Sequence, residues 1–222
     1  LPRLPGSGIV YALTVADAER LATVLQGVHG DVARVAAYTG GLDPETRERL
    51  EDDLRANRLK ALVATSALGM GYDKPDLGFV VHYQAPGSVV SYYQQVGRAG
   101  RAIEDAQVVL LRGAEDRRIQ DFFITQAFPP RALVDEVLGI LGESGETGVG
   151  LNEILAQVRI GRSRLTAMLK VLDVEGAIDR NGNRYVVAPD STWEYDAERY
   201  AQVTELRRHE QDAMAAFGED GR

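Results

Sequence analysis

The sequence predicts an α/β fold followed by a smaller, mainly helical module, and three observations carry that reading. As far as Phe128, short apolar or β-branched runs alternate with helical segments of ten to fifteen residues, the pattern of a mainly parallel sheet covered on both faces. Pro129-Pro130 then interrupts the chain, since neither residue continues a helix and both stiffen it. Behind the prolines, three helical segments lead to a short hairpin and one long terminal helix.

The elements follow in order. Ile9 to Leu13 reads as a strand, and Ala16 to Leu25 repeats apolar residues at helical spacing. Val32 to Tyr38 is a second strand. Asp43-Pro44 opens a charged helix through Leu54, with proline at a position whose N–H would be unpaired anyway. Leu59 to Ala64 is a buried-strand run, and after a Gly69-Met70-Gly71 turn Phe79 to Tyr83 is another. Ser88 caps a helix through Gln95, and Gln107 to Leu111 is the last strand of the first domain.

In the second module Arg131 to Leu141, Leu151 to Val158 and Ser163 to Glu175 are helices, separated by glycine-containing turns. Ala177 to Arg180 and Arg184 to Val187 flank Asn181-Gly182-Asn183, where Asn-Gly suits the positive φ angles of a tight reversal. Three helices followed by a β-wing is the order of a winged helix. Asp196 to Phe217 reads as one long amphipathic helix, with Tyr200, Val203, Leu206, Met214 and Phe217 at its apolar positions. The expected domains are 1–128, 129–190 and a terminal helix at 191–222.

Composition narrows the function classes. With 45% hydrophobic and 26% charged residues the chain is of ordinary globular type. It has no apolar window near the roughly 18 residues that cross a bilayer, so no membrane partner and a cytoplasmic location are expected. The absence of cysteine removes disulfides, thiol nucleophiles and cysteine-held zinc, and His29, His82 and His209 are too scattered to suggest a metal site. A net charge of −8 argues against nucleic acid only at first sight, because net charge is a poor guide to local field. Between residues 159 and 184, Arg159, Arg162, Arg164, Lys170, Arg180 and Arg184 outnumber Asp173, Glu175 and Asp179.

The strongest chemical signal is Tyr92-Tyr93-Gln94-Gln95-Val96-Gly97-Arg98-Ala99-Gly100-Arg101, a helix ending in a glycine-rich turn with two arginines three residues apart. Planar guanidinium forks stabilise the charge that builds on a polyphosphate losing its terminal group, which makes Arg98 and Arg101 candidate arginine fingers. The alternative is a helix C-cap whose arginines are merely solvated. Upstream, Thr65-Ser66-Ala67-Leu68-Gly69-Met70-Gly71-Tyr72-Asp73-Lys74-Pro75 places a hydroxyl, glycine backbone, an acid and a base after a buried strand, where open α/β sheets bind ligands.

Ala64 to Pro75 resembles motif V of superfamily 2 helicases in its RecQ form, and Tyr92 to Arg101 resembles motif VI. Gly8 to Thr14 is similar to motif IV, and Tyr38-Thr39-Gly40-Gly41-Leu42 occupies the place of the Tyr-His-Ala-Gly-Leu loop, so the resemblance covers about residues 6 to 125. Thr39-Gly40 and Ala102-Ile103 depart from the RecQ pattern and mark a divergent branch.

The resemblance implies a second RecA-like motor domain of an ATP-dependent DNA helicase. Arg98 and Arg101 would reach across a cleft to the triphosphate, Gln94 would help to sense it, and Asp73 and Gly71 would sit on the nucleotide side. Thr14, Gly40 and Thr65 would face the phosphates of the tracked strand, or serve as caps and turns. Arg162 and Arg164 at the start of the third helix, with Arg180 and Arg184 beside the wing, would contact duplex DNA, or form a solvated face.

The sequence has no G-x-x-x-x-G-K-[ST] loop and no Asp-Glu-x-His box. ATP and Mg2+ are therefore expected mainly on a first motor domain that precedes this chain in its parent, and the chain alone is expected not to hydrolyse ATP. Arg207 to Met214 resembles the helix before the cysteine-rich zinc module of RecQ proteins, which implies zinc downstream of residue 222. The other reading is a non-catalytic nucleic-acid-binding or regulatory protein on a helicase-like scaffold.

Overall fold

A computed structural model describes residues 1–30, 34–68 and 72–220, with side chains through Phe217. The chain forms two compact units: Leu1–Ile124 with Leu206–Arg222, and Thr125–Glu205.

In the first unit the elements are β1 (Gly8–Tyr11), α1 (Val15–His29), β2 (Val35–Tyr38), α2 (Pro44–Arg55), β3 (Ala61–Ala64), β4 (Phe79–His82), α3 (Val89–Val96), β5 (Gln107–Leu110) and α4 (Ala114–Gln126). The five strands are all parallel in the order β2-β3-β1-β4-β5, the α/β sheet that the alternating pattern predicts. Val32, expected in the second strand, lies outside the described residues.

Period-two alternation divides the strand residues between two cores. Ile9, Tyr11, Leu62, Ala64 and Val80 face one side with Leu50 and Leu54 of α2. Val10, Ala61, Val63 and Phe79 face the other with Ala18 and Ala22 of α1. Tyr11 stands opposite Ala64 on one side and His82 on the other, so β1, β3 and β4 end level. Whatever follows them gathers at one edge.

Helix α4 was not among the expected elements. Its buried positions include Asp116 and Gln120, which dock by polar contacts: Asp116 accepts from the Ala85 N–H at 3.0 Å, and Gln120 donates to the Ala85 carbonyl at 2.7 Å. A helix held this way shows little apolar periodicity to read.

The second unit comprises α5 (Arg131–Ser144), a 3₁₀ turn at Gly145–Thr147, β6 (Val149–Gly150), α6 (Leu151–Leu155), α7 (Arg162–Val174), β7 (Ile178–Asn181) and β8 (Arg184–Val187). Its antiparallel sheet runs β6-β8-β7, and Val134, Val137, Leu141, Ile154, Leu165, Leu169, Leu172 and Ile178 form its core. The expected helices and hairpin are present, and α6 stops three residues short of Val158. In the reversal only Gly182, at φ 62°, takes a positive φ; Asn181 remains in the strand. The two-residue strand β6 is too short to leave a periodic signal.

The terminal helix α8 (Ala197–Asp220) was expected as a segment of its own, and instead its residues divide between the two units after Glu205. In the second unit Tyr200 stacks on Phe128 at 4.6 Å and donates to Glu175 at 2.7 Å. In the first unit Gln211 and Met214 are buried. Leu206, read as part of the apolar face, is 60% exposed. Among the described residues no helix is long and apolar enough to cross a membrane.

Candidate functional site

Ser88 starts α3 by accepting the Ser91 N–H at 3.1 Å, and the helix runs out at Gly97. The turn that follows is stitched to the segment after β3. The Gly100 N–H, at φ 74°, donates to the Leu77 carbonyl at 3.0 Å, and the Ala102 N–H donates to the Pro75 carbonyl at 2.8 Å. A non-glycine residue at that φ would be strained.

This stitching brings the predicted nucleotide-side residues together. Asp73, Gln94, Arg98 and Arg101 line one cleft of about 570 Å³ with Tyr72, Tyr93 and Gly97. Arg98 is half-buried and donates through Nη1 to the Tyr72 carbonyl at 3.0 Å. Arg101 donates through Nε to the Gly97 carbonyl at 3.0 Å and through Nη1 to Asp73 at 2.8 Å. Gly71, predicted for the same side, lies outside the described residues.

A second cavity, of about 1080 Å³, opens at the level ends of β1, β3 and β4 and includes Thr14, Thr65, Tyr11, His82 and Gln95. Thr14 caps α1, accepting the Asp17 N–H at 3.0 Å while its hydroxyl donates to the Asp17 carboxylate at 2.8 Å. That hydroxyl, with help from Gln84 and Arg20, holds the Asp17 carboxyl below the usual range. Thr65 accepts the Ala67 N–H at 3.3 Å. Gly40 is exposed and does not line this cavity, so two of the three predicted strand-facing residues come together and one does not.

The sequence reading assigned no role in this wall to His82 or Gln95. His82 is fully buried with its Nε2 at 2.8 Å from the Gln95 side-chain oxygen. Burial pushes the His82 ring down from its ordinary 6.5, and pushes the neighbouring Tyr11 hydroxyl up to about 12 against the pull of Arg98. A histidine closing a strand, thirteen residues before a glutamine in a motif helix, is the one available signal, and it is weak.

In the second unit Arg162, Arg180 and Arg184 line a cleft of about 410 Å³. Arg162 is exposed and donates to Asn152, and Arg180 is exposed and donates to the Gly182 carbonyl at 2.9 Å. Arg184 lines the cleft while making several contacts within the unit. Its donors go to the Thr147 and Gly148 carbonyls, and to Glu153 at 2.9 Å, so it ties β8 to the turn before β6. Arg164 does not line this cleft, and its Nε is buried. Among the described residues no three His, Cys, Asp or Glu side chains gather where they could hold a metal ion.

Residues 3–103 match the helicase conserved C-terminal domain. RecQ DNA helicases of Synechocystis sp. and Bacillus subtilis are each 38% identical to this chain, over 57% and 54% of its length. Residues 3–103 are thus similar to the C-terminal domain of RecQ-like helicases. The B. subtilis probable helicase RecS is 30% identical over 75% of the chain, so that match extends beyond the helicase domain. The chain spans 27%, 20% and 33% of the lengths of these three relatives. In the first unit the arginine cleft and the cavity at the strand ends lie on either side of α3, which contributes residues to both.

Proposed function

We propose that the chain is the second motor lobe and attached DNA-binding module of an ATP-dependent RecQ-like DNA helicase that acts on single-stranded and duplex DNA. The observation that supports it is the single cleft shared by Asp73, Gln94, Arg98 and Arg101. Two guanidinium groups and a carboxamide are a donor set that fits a polyphosphate. ATP, presented by a companion lobe, supplies the phosphoryl transfer that drives the cycle.

Arg101 is the more solvent-exposed member of the pair. Its partnership with Asp73 is about half exposed on both sides, and such pairs hold only roughly 0–1 kcal/mol, so a phosphate can take the guanidinium over. Arg98, half-buried against the Tyr72 carbonyl, holds its fork in a set direction. Closing the lobes brings both forks to the terminal phosphate, and opening releases them, so closure is coupled to stepping along DNA. Thr14 and Thr65 face the tracked strand, while Arg162 and Arg180 meet duplex phosphates. Mg2+ would belong mainly to the companion lobe, since this sequence carries no Asp-Glu-x-His box to hold it.

The deciding experiment joins this chain to its nucleotide-binding lobe and replaces Arg101 with alanine. DNA-stimulated ATP turnover should fall about a thousandfold or more while ATP binding persists. Unchanged turnover removes Arg101 from the finger role.

A further inference from the structure

Helix α3 carries the arginine turn, yet it has only eight residues and none of them is fully buried. So short a helix has little intrinsic stability, and its placement must come from contacts with its surroundings. His82, at the end of β4, supplies a polar one: its Nε2 meets the Gln95 side-chain oxygen at 2.8 Å. Because the amide oxygen can only accept, Nε2 carries the proton in this contact, and burial disfavours a second proton on the ring.

Gln95 lies next to Gln94, and its own carbonyl accepts the Arg98 N–H at 3.3 Å. The His82 ring stacks 5.5 Å from Tyr11 and lies 5.1 Å from Tyr92, which in turn meets Phe217 of α8 at 5.3 Å. Four rings in file thus run from the end of β1, past β4 and α3, to α8. The titratable side chains whose rings pack on the imidazole are Tyr11 and Tyr92, and no carboxylate is among the contacts described.

We infer that His82 is a positioning residue for the arginine turn: through Gln95 it sets the last turn of α3, and thereby the directions of Arg98 and Arg101. His82 and Gln95 also line the cavity that holds Thr14 and Thr65, so the pair joins the strand-facing cavity to the nucleotide-facing cleft. The inference rests on the helicase reading above.

The test is a double-mutant cycle in the polypeptide that includes the nucleotide-binding lobe. His82→Phe keeps a ring in the file and removes the hydrogen bond; Gln95→Met keeps the length and removes the acceptor. Each should lower DNA-stimulated kcat by about tenfold to a hundredfold, the scale of a misplaced catalytic group, with KM for ATP within about twofold. The double variant should be no slower than the worse single one. Independent, additive losses, or full turnover in either single variant, would overturn the assignment.

A purely structural role would lower the melting temperature and leave kcat per folded molecule intact. In the wild-type 222-residue chain, nitrogen NMR should find the His82 proton on Nε2; a proton on Nδ1 would also sink the proposal. If the wild-type polypeptide shows no DNA-stimulated turnover at all, the helicase reading itself fails and this inference falls with it. Normal wild-type turnover with unaffected variants fails this inference alone.

Discussion

Arg101 donates through Nη1 to Asp73 across 2.8 Å, joining the turn after α3 to the segment after β3 by an ion pair whose side chains are 50% and 61% exposed. Exposed pairs of this kind are worth roughly 0–1 kcal/mol. Replacing Asp73 with asparagine should therefore change folding stability by less than about 1 kcal/mol in urea denaturation. A larger loss would mean that the pair holds the fold and cannot release Arg101 to a phosphate.

Lysine at position 101 keeps the charge and loses the planar fork. In the polypeptide bearing the nucleotide lobe, Arg101→Lys should retain ATP binding and lose most of the turnover. Steady-state ATPase assays beside Arg101→Ala decide between charge alone and fork geometry, and near-normal activity in the lysine variant would show that charge suffices.

The arginines of the second unit should separate by role. Replacing Arg162 and Arg180 together should weaken duplex binding and reduce the steepness of its dependence on salt, because phosphate contacts release counterions. Arg184→Ala should instead destabilise the second unit by about 0.5–1.5 kcal/mol, since the Gly148 and Thr147 carbonyls and Glu153 lose a partly solvated donor. Binding titrations at several salt concentrations, beside thermal melts, would expose the opposite pattern if Arg184 is the DNA contact.

Burial depresses the His82 pKa in the folded chain, so between that lowered value and the ordinary 6.5 the unfolded chain binds the extra proton. Stability should accordingly be full above about pH 6.5 and decline as pH falls below it, before carboxylates titrate. Denaturation midpoints from pH 7.5 to 5.5 should show the slope in the wild type, and His82→Phe should flatten it. An equal slope in both would trace the effect to other groups.

Gly78 packs against the N-terminal segment so closely that a Cβ there would stand 2.1 Å from the Pro5 carbonyl oxygen. Gly78→Ala should cost about 1–3 kcal/mol through the backbone shift it forces. Gly87→Ala, with nothing within 4 Å of the added carbon, serves as the control and should be close to neutral. Equal stabilities would contradict the close approach of the Pro5 and Gly78 backbones.

Much of the candidate cleft is legible in the sequence. Gln94, Arg98 and Arg101 sit at helical and turn spacing within one run, and that proximity is local. The wing offered less: four arginines in a basic stretch looked equivalent, yet Arg184 is spent on carbonyls 36 and 37 residues away. Burial of Arg164 Nε likewise has no counterpart in sequence spacing.

By itself, the order of residues determined most of the strands and helices, though not α4 or β6, and where two guanidinium forks would lie three residues apart, because these follow from periodicities of two and 3.6 and from local capping. Only the tertiary structure decided that α4 docks through Asp116 and Gln120, that His82 meets Gln95 inside a file of rings, and that Arg101 rests on Asp73. Each of these is a pairing across space between polar groups with no shared period. Burial lowers the local dielectric and makes an unpaired polar group costly, so such partners are chosen only when the elements pack.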